Sequence, residues 1–265
     1  MQDSNTSFQK VILYGVEHSP WVQGIWLAMA YHGIRPVVRS IPLGPSWVLR
    51  YGFVFPALKL ADGSYHVDSF AMYKHLDDSG FVTGINRNSS EQLRQEQEYL
   101  EKLFTRYALG RCMYGNRWNF IVGWSRMKEH PNSVGGIFCR AFLSLYFFFL
   151  IQVGELGLRF NKIKPYNLSV IAKYMKRWDQ KLNDKIWLSG NKIGYLDFAF
   201  LGHIQCMCSG LTEEMLPIIS DNSNIIKWLH KIDAEFQDFT PAYYRRALDS
   251  KHKVEVASTS QVLFF

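Results

Sequence analysis

Hydrophobic and polar positions change period twice within the first eighty residues. Lys10-Val11-Ile12-Leu13-Tyr14 reads as a strand. Val16-Glu17-His18 then turns the chain. Trp21 to Ala30 follows as a helix, with Val22, Ile25, Trp26 and Met29 at helical spacing. Pro20 suits the first helical position and Ser19 the N-cap. Phe53 to Leu60 reads as a further strand with Pro56 near its start. Ala61-Asp62-Gly63-Ser64 carries the Asp-Gly signal of a hairpin turn, and Tyr65-His66-Val67 is its return strand. Asp68-Ser69 opens a helix that continues through Leu76. A βαβ-like beginning is thus followed by a ββα ending.

The remainder patterns as helices. Ser79 to Asn88 reads as a linker, and Ser89 with Gln92 forms a capping box. Leu93, Leu100, Leu103, Phe104 and Tyr107 follow on one helix, whose register breaks near Gly110. Ile171, Tyr174, Met175, Trp178 and Leu182 make one apolar stripe, and Ile225, Leu229, Ile232 and Phe236 another; such stripes face a core. The uncharged run from Ala141 to Gly154 is bracketed by Arg140 and Glu155. It is shorter than the roughly 20 residues a spanning helix needs. It reads as a helix buried in a bundle, in part at a dimer interface, with peripheral membrane contact as the other reading. Residues after Ala247 read as a tail.

Composition narrows the class. The chain has 265 residues, 48% of them hydrophobic and 20% charged, which is globular and long enough for a sizeable core. The net charge of +7 invites a nucleic-acid partner, but Lys and Arg are scattered and form no tail-like run. A positive field also suits a small acidic ligand. Cys112, Cys139, Cys206 and Cys208 form no CxxC and no zinc framework. A reducing cytoplasm fits that usage. Residues 1–7 lack the charged start and apolar core of a signal peptide.

Three short segments carry candidate chemistry. A hydroxyl at Ser19 stands beside unpaired N–H groups and the positive end of a helix dipole, a place to hold an anion such as a thiolate; it reads also as a plain cap. Pro56 within a strand marks an edge or a special bend, and a cis bond would account for it. Asp68 with Ser69 offers a carboxylate, a hydroxyl and a backbone N–H in one place, enough to hold the charged ends of an amino-acid-like ligand, or simply a cap. His203 reads as a satisfied core histidine, and Tyr14, inside the strand, as core rather than donor. There is no GxSxG, HExxH, P-loop or GxGxxG.

In this order the segments Ser19-Pro20-Trp21, Phe55-Pro56-Ala57-Leu58 and Asp68-Ser69 resemble the thioredoxin-fold domain of the glutathione transferase superfamily. Leu27 to Ile34 is similar to the family's first helix and its Gly ending. Trp187-Leu188-Ser189-Gly190 with Gly194-Tyr195-Leu196-Asp197 resembles the capping box of its all-helical domain, Gly194 replacing the usual Ser or Thr. The resemblance implies a thioredoxin-like α/β domain over residues 8–79, an all-helical domain over 90–247 and a tail over 248–265. It implies glutathione as co-substrate, with Ser19 donating to its sulfur as in serine-type members. Pro20 and Trp21 flank that hydroxyl. The main chain of Phe55 before Pro56 would pair with the cysteinyl part, and Asp68 and Ser69 would hold the γ-glutamyl end. The Asp-Ser variant resembles bacterial and fungal members, the etherase-like ones included.

Two departures touch the glycyl end. Ile41 to Val54 is short for the family's second helix, leaving Arg50 as the nearest cation, and Gly24 stands where many members have Arg. The implied activity is transfer to, or glutathione-dependent cleavage of, a small hydrophobic electrophile. That substrate would lie between the domains against Trp21, Tyr107, Arg111 and Tyr114. No metal, nucleic acid or membrane span is expected; a homodimer is. A non-catalytic protein of the same fold that binds ligands or partners is the alternative, and a membrane-associated adaptor a third.

Overall fold

The structure, a computed structural model, describes residues 11–15, 19–39, 56–80, 168–209, 214–239 and 242–249, with isolated positions at 91, 95, 96, 145, 152, 153, 156, 157 and 160. Strand β1 (Ile12–Tyr14) leads into helix α1 (Pro20–Tyr31) and strand β2 (Val37–Arg39). Strands β3 (Ala57–Lys59) and β4 (Tyr65–Val67) form a hairpin, followed by helix α2 (Ser69–Asp78). The four strands are ordered β2-β1-β3-β4. β1 pairs parallel with β2, and the other two pairings are antiparallel. The βαβ and ββα halves expected from the pattern are both present. The strands are shorter than the apolar runs that announced them.

Local chemistry accounts for the hairpin and the helix starts. Asp62 accepts from both the backbone N–H (2.9 Å) and the hydroxyl (2.7 Å) of Ser64, closing the Asp-Gly turn. Helix α1 begins with Pro20, which needs no acceptor for a missing N–H. The expected apolar stripe on α1 is only part of its buried surface. Gln23, Gly24, Leu27 and Ala28 are buried too. The physical reason is that α1 lies between the sheet and the helical part of the chain, so it is covered on two sides.

That second cover is α4 (Tyr195–Cys208), every residue of which is buried. Around it stand α3 (Leu168–Lys181), α5 (Met215–Ser220) and α6 (Ser223–Glu235). The two expected stripes face this core: Ile171, Met175, Trp178 and Leu182 are buried, as are Ile225, Leu229, Ile232 and Phe236. Tyr174 is half-buried and packs on the core's edge. Asn222, the N-cap of α6, makes no side-chain cap. Asp179 of α3 supplies one instead, accepting from the N–H groups of Asn224 (2.7 Å) and Ile225 (3.1 Å). Glu96 ties to α3 through Arg177 (3.0 Å) and Lys181 (2.5 Å).

The Ala141–Gly154 run is described at Leu145, Gln152 and Val153 only, all helical. Leu145 and Val153 are exposed in the single chain. No helix among the described residues is long and apolar enough to cross a membrane. Arg50, Phe55, Tyr107, Arg111 and Tyr114 lie outside the described residues. So do the segment 41–54, the linker beyond Gly80, the Ser89–Gln92 box as a pair and the tail beyond Asp249.

Buried polar groups on α4 are matched by partners. Asp197 accepts from the N–H groups of Leu188 (2.8 Å), Ser189 (3.0 Å) and Gly194 (3.1 Å) and from the Trp228 indole (3.3 Å). Burial pushes its carboxyl pKa up, and the main-chain donors pull it back toward the ionised form. With Gly at the N-cap, the Asp197 N–H turns to the Gly194 carbonyl (3.0 Å), and the carboxylate still makes its own half of the box by reaching back to the Gly194 N–H, as the resemblance implied. Asp197→Ala would leave those donors buried without an acceptor, at about 1–3 kcal/mol each before relaxation. Urea unfolding should therefore show a loss of at least about 3 kcal/mol, with Asp197→Asn between the two. A loss under about 1 kcal/mol would show that the N–H groups find other acceptors.

His203 is the core histidine the pattern suggested: its Nδ1 lies 2.7 Å from the Ala199 carbonyl. Burial lowers its pKa from 6.5 to about 4. His32 is also lowered, by burial first, with Asp77 opposing. A histidine depressed in the folded state favours folding fully above its ordinary value. That contribution is lost as pH falls through 6.5 toward the folded value, about 4 for His203. At about 1.4 kcal/mol per pKa unit, His203 alone accounts for about 3 kcal/mol of acid destabilisation. Unfolding measured against pH should be flat above neutrality and fall on the acid side, and His203→Leu should flatten that limb. An unchanged limb in the variant would rule out His203 as its source.

Candidate functional site

The strand register gathers the candidate residues at one end of the sheet. Tyr14 pairs with Ala57, and Ala57 with Val67. One position further along the same row stand Gly15, Pro56 and Asp68. Gly15 ends β1 with its N–H donating to the Arg39 carbonyl of β2 (2.9 Å). Its φ is +155°, and a Cβ there would meet Val22 Cγ2 at 2.3 Å and Pro56 Cα at 3.9 Å. Glycine thus lets the strand end pass tightly under α1 beside Pro56. Because β2 runs parallel to β1, the chain must return along α1, so α1 begins at this same end.

Ser19 caps α1 in position but not in bonding. Its backbone is extended, with φ −67° and ψ 132°, and its hydroxyl makes no cap hydrogen bond. Its carbonyl accepts the N–H of Gln23 at 2.9 Å, closing the first turn. Pro20 has no N–H, so Trp21 and Val22 carry the N–H groups that a helix start leaves to an outside acceptor. Ser19 and Trp21 are half-buried and Pro20 and Pro56 are buried. Ser19 thus stands at the expected N-cap position, and what is missing is the side-chain bond: the hydroxyl makes no cap hydrogen bond to its own helix.

Asp68 and Ser69 follow β4 directly. Asp68 is exposed, and it is the non-glycine residue with positive φ among those described, at +77°. Its Oδ1 accepts the N–H of Ala71 (3.3 Å) and its carbonyl that of Met72 (3.0 Å), so it does cap α2. Ser69 is buried beneath it. The turn is braced on both sides by a stacked imidazole pair. His66 of β4 and His75 of α2 have ring centroids 3.6 Å apart at 20°. Burial, with His75 alongside, lowers the His66 pKa. Tyr14 stacks on Tyr65 at 6.3 Å, which agrees with a packing role for that ring.

Sequence reasoning missed what holds this end against the helices. A Cβ on Gly24 would lie 2.6 Å from the Tyr73 hydroxyl and 3.1 Å from the Phe198 carbonyl. One on Gly202 of α4 would lie 2.2 Å from the Pro20 carbonyl and 2.8 Å from the Gly24 nitrogen. A side chain at Gly202 would run into main chain and one at Gly24 would have to displace the Tyr73 hydroxyl, so Gly24 is a packing glycine here. Beside them the buried Gln23 and Gln205 side chains bond to each other at 3.2 Å. A glutamine inside an otherwise apolar helix was the available signal.

This architecture is the glutathione transferase fold. A glutathione S-transferase from Rhodospirillum rubrum F11 aligns with a TM-score of 0.55 and 13% identity, over 90% of this chain and 91% of that one. Glutathione transferase F2 from Populus trichocarpa gives 0.52 and 10%, over 92% and 99%. Glutathione Transferase E6 from Drosophila melanogaster gives 0.51 and 14%, over 97% and 99%. No family model matches the sequence, and no curated protein matches it. Among the described residues there is no cluster of His, Cys, Asp or Glu that would hold a metal ion.

The two glycine-tolerant features of Asp68 give a direct check. Asp68→Gly removes the cap but relieves the positive φ, whereas Asp68→Ala removes the cap and keeps a conformation costing about 1–2 kcal/mol for a residue with a Cβ. The alanine variant should therefore be the less stable, by about 1 kcal/mol in thermal or urea unfolding. Equal stability would mean that the turn relaxes out of the left-handed region.

Proposed function

We propose that the protein is a glutathione-dependent transferase acting on a small hydrophobic electrophile, with Ser19 stabilising the glutathione thiolate. The observation that carries this reading is the Ser19 hydroxyl, unused by its own helix, at the N-terminus of α1. It stands at the same end of the sheet as Pro56, Asp68 and Ser69. A thiolate there gains a donor hydroxyl and the positive end of the helix dipole, both of which favour the charged nucleophile over the thiol. Asp68 and Ser69 are assigned the γ-glutamyl end, and the main chain of Phe55 before Pro56 the cysteinyl part. Arg50 is assigned the glycyl carboxylate, and Trp21, Tyr107, Arg111 and Tyr114 the electrophile. The domain boundaries near residues 79 and 90, the cytoplasmic setting and a homodimer belong to the same reading.

Ser19→Ala should lower turnover by roughly 10²–10³, the usual effect of losing one donor to a developing or held anion. Glutathione affinity should change far less. A panel of electrophiles assayed with glutathione, wild type against variant, measures both. Wild-type turnover in the variant would reduce Ser19 to a backbone role.

A second reading has its own observation. Gly24 is sealed against Tyr73 and α4, so no cation can be carried at that position. A non-catalytic protein of this fold would be the outcome if calorimetry found no glutathione binding by the wild type.

A further inference from the structure

α4 meets the candidate site from behind, through the main chain of α1. Its Gly202 lies against the Pro20 carbonyl and the Gly24 nitrogen, both in the first turns of α1. One turn on, Gln205 accepts the main-chain N–H of Tyr244 through Oε1 at 2.7 Å. That N–H is only a donor, so the amide orientation is set, and Nε2 must face the other way. There it donates to Gln23 Oε1 at 3.2 Å. The backbone N–H of Gln23 in turn donates to the Ser19 carbonyl. Gln23, Gln205 and Tyr244 are all fully buried. α4 is itself pinned at both ends, by the Asp197 network at its start and by Arg246, which donates to the Cys208 carbonyl at 2.8 Å, at its finish.

Building on the proposed Ser19 chemistry, we propose that Gln205 and Gly202 are positioning residues that fix the first turn of α1, and with it the aim of the Ser19 hydroxyl at the thiolate. A hydroxyl that stabilises an anion works through direction as much as through distance. Ser19 makes no side-chain cap that would hold the first turn of α1. It is held from behind, by an amide relay that runs from the chain's C-terminal segment through α4, and by close main-chain contact at Gly202.

The test reads the thiol directly. Ultraviolet absorption of the bound thiolate against pH gives the pKa of glutathione on the protein. In the wild type it should lie well below the free value of about 8.5–9. A wild type that does not lower it would overturn the parent reading, and this one with it. In Gln205→Leu the bound thiol pKa should rise by about one unit and kcat fall about tenfold, while KM for glutathione stays within about threefold. Gly202→Ala should give the same signature. The double variant Gln23→Leu/Gln205→Leu separates positioning from packing. Replacing both amides removes the orphaned Gln23 group that the single Gln205→Leu leaves, although the Tyr244 N–H still lacks its acceptor, so Tm should rise part of the way back from the Gln205→Leu value while thiol pKa and kcat do not. Recovery of all three together, or single variants in which Tm falls with the thiol pKa unmoved, would make Gln205 a core residue and overturn the proposal.

Discussion

Gly202 lets α4 approach α1 until a Cβ on it would collide with the Pro20 carbonyl and the Gly24 nitrogen, and a Cβ on Gly24 would collide with the Tyr73 hydroxyl of α2 and crowd the Phe198 carbonyl of α4. Everything else in the described structure is referred to that contact. It leaves α1 no freedom to slide or roll, because both of its faces are occupied, one by the sheet and one by α4. Small residues at a crossing normally bring helices together at a cost in side-chain burial. Here the loss is offset by the burial of Val22, Ile25 and Leu27 on one helix and Phe198, Leu201 and Ile204 on the other. The sheet and the helical part of the chain therefore share one core.

A helix as apolar as α4 would be expected to carry no polar side chains. It carries Asp197, His203 and Gln205, all fully or nearly fully buried. Each has a defined answer: three main-chain N–H groups and an indole for Asp197, a carbonyl for His203, an amide and a main-chain N–H for Gln205. Satisfied in this way, such groups specify a single packing, because any slippage of α4 leaves donors without acceptors. The apolar surface supplies most of the stability, and the polar groups supply register.

The order of elements was legible because turn and cap chemistry is local. Asp62-Gly63, Pro20 and Asp68-Ser69 each act within a few residues, and each stands where the pattern placed it. The stripes on α3 and α6 were legible for the same reason, since a single helical face carries them. What could not be read was tertiary. Gly24 looked like a missing cation and is a close-packing residue, because its decisive neighbours, Tyr73 and Phe198, lie far along the chain. Asp179 caps a helix other than its own, and Gln23 answers a glutamine with which it shares no local pattern. Of the candidate site, one wall was legible: Ser19, Pro56 and Asp68 come together at one sheet end.

The backbone at Asp68 also restricts chemistry by selection of side-chain length. With φ at +77°, the position admits glycine and the short side chains of aspartate and asparagine, whereas longer or branched residues pay for the left-handed turn. Among acids, that leaves aspartate rather than glutamate. The charge is consequently held one methylene nearer the main chain, on a stalk with a single rotatable bond fewer. A positive group would have to come up to this turn to meet it, since the side chain has little reach of its own. Discrimination at this corner would thus follow from the ligand's length, measured by the protein's backbone conformation.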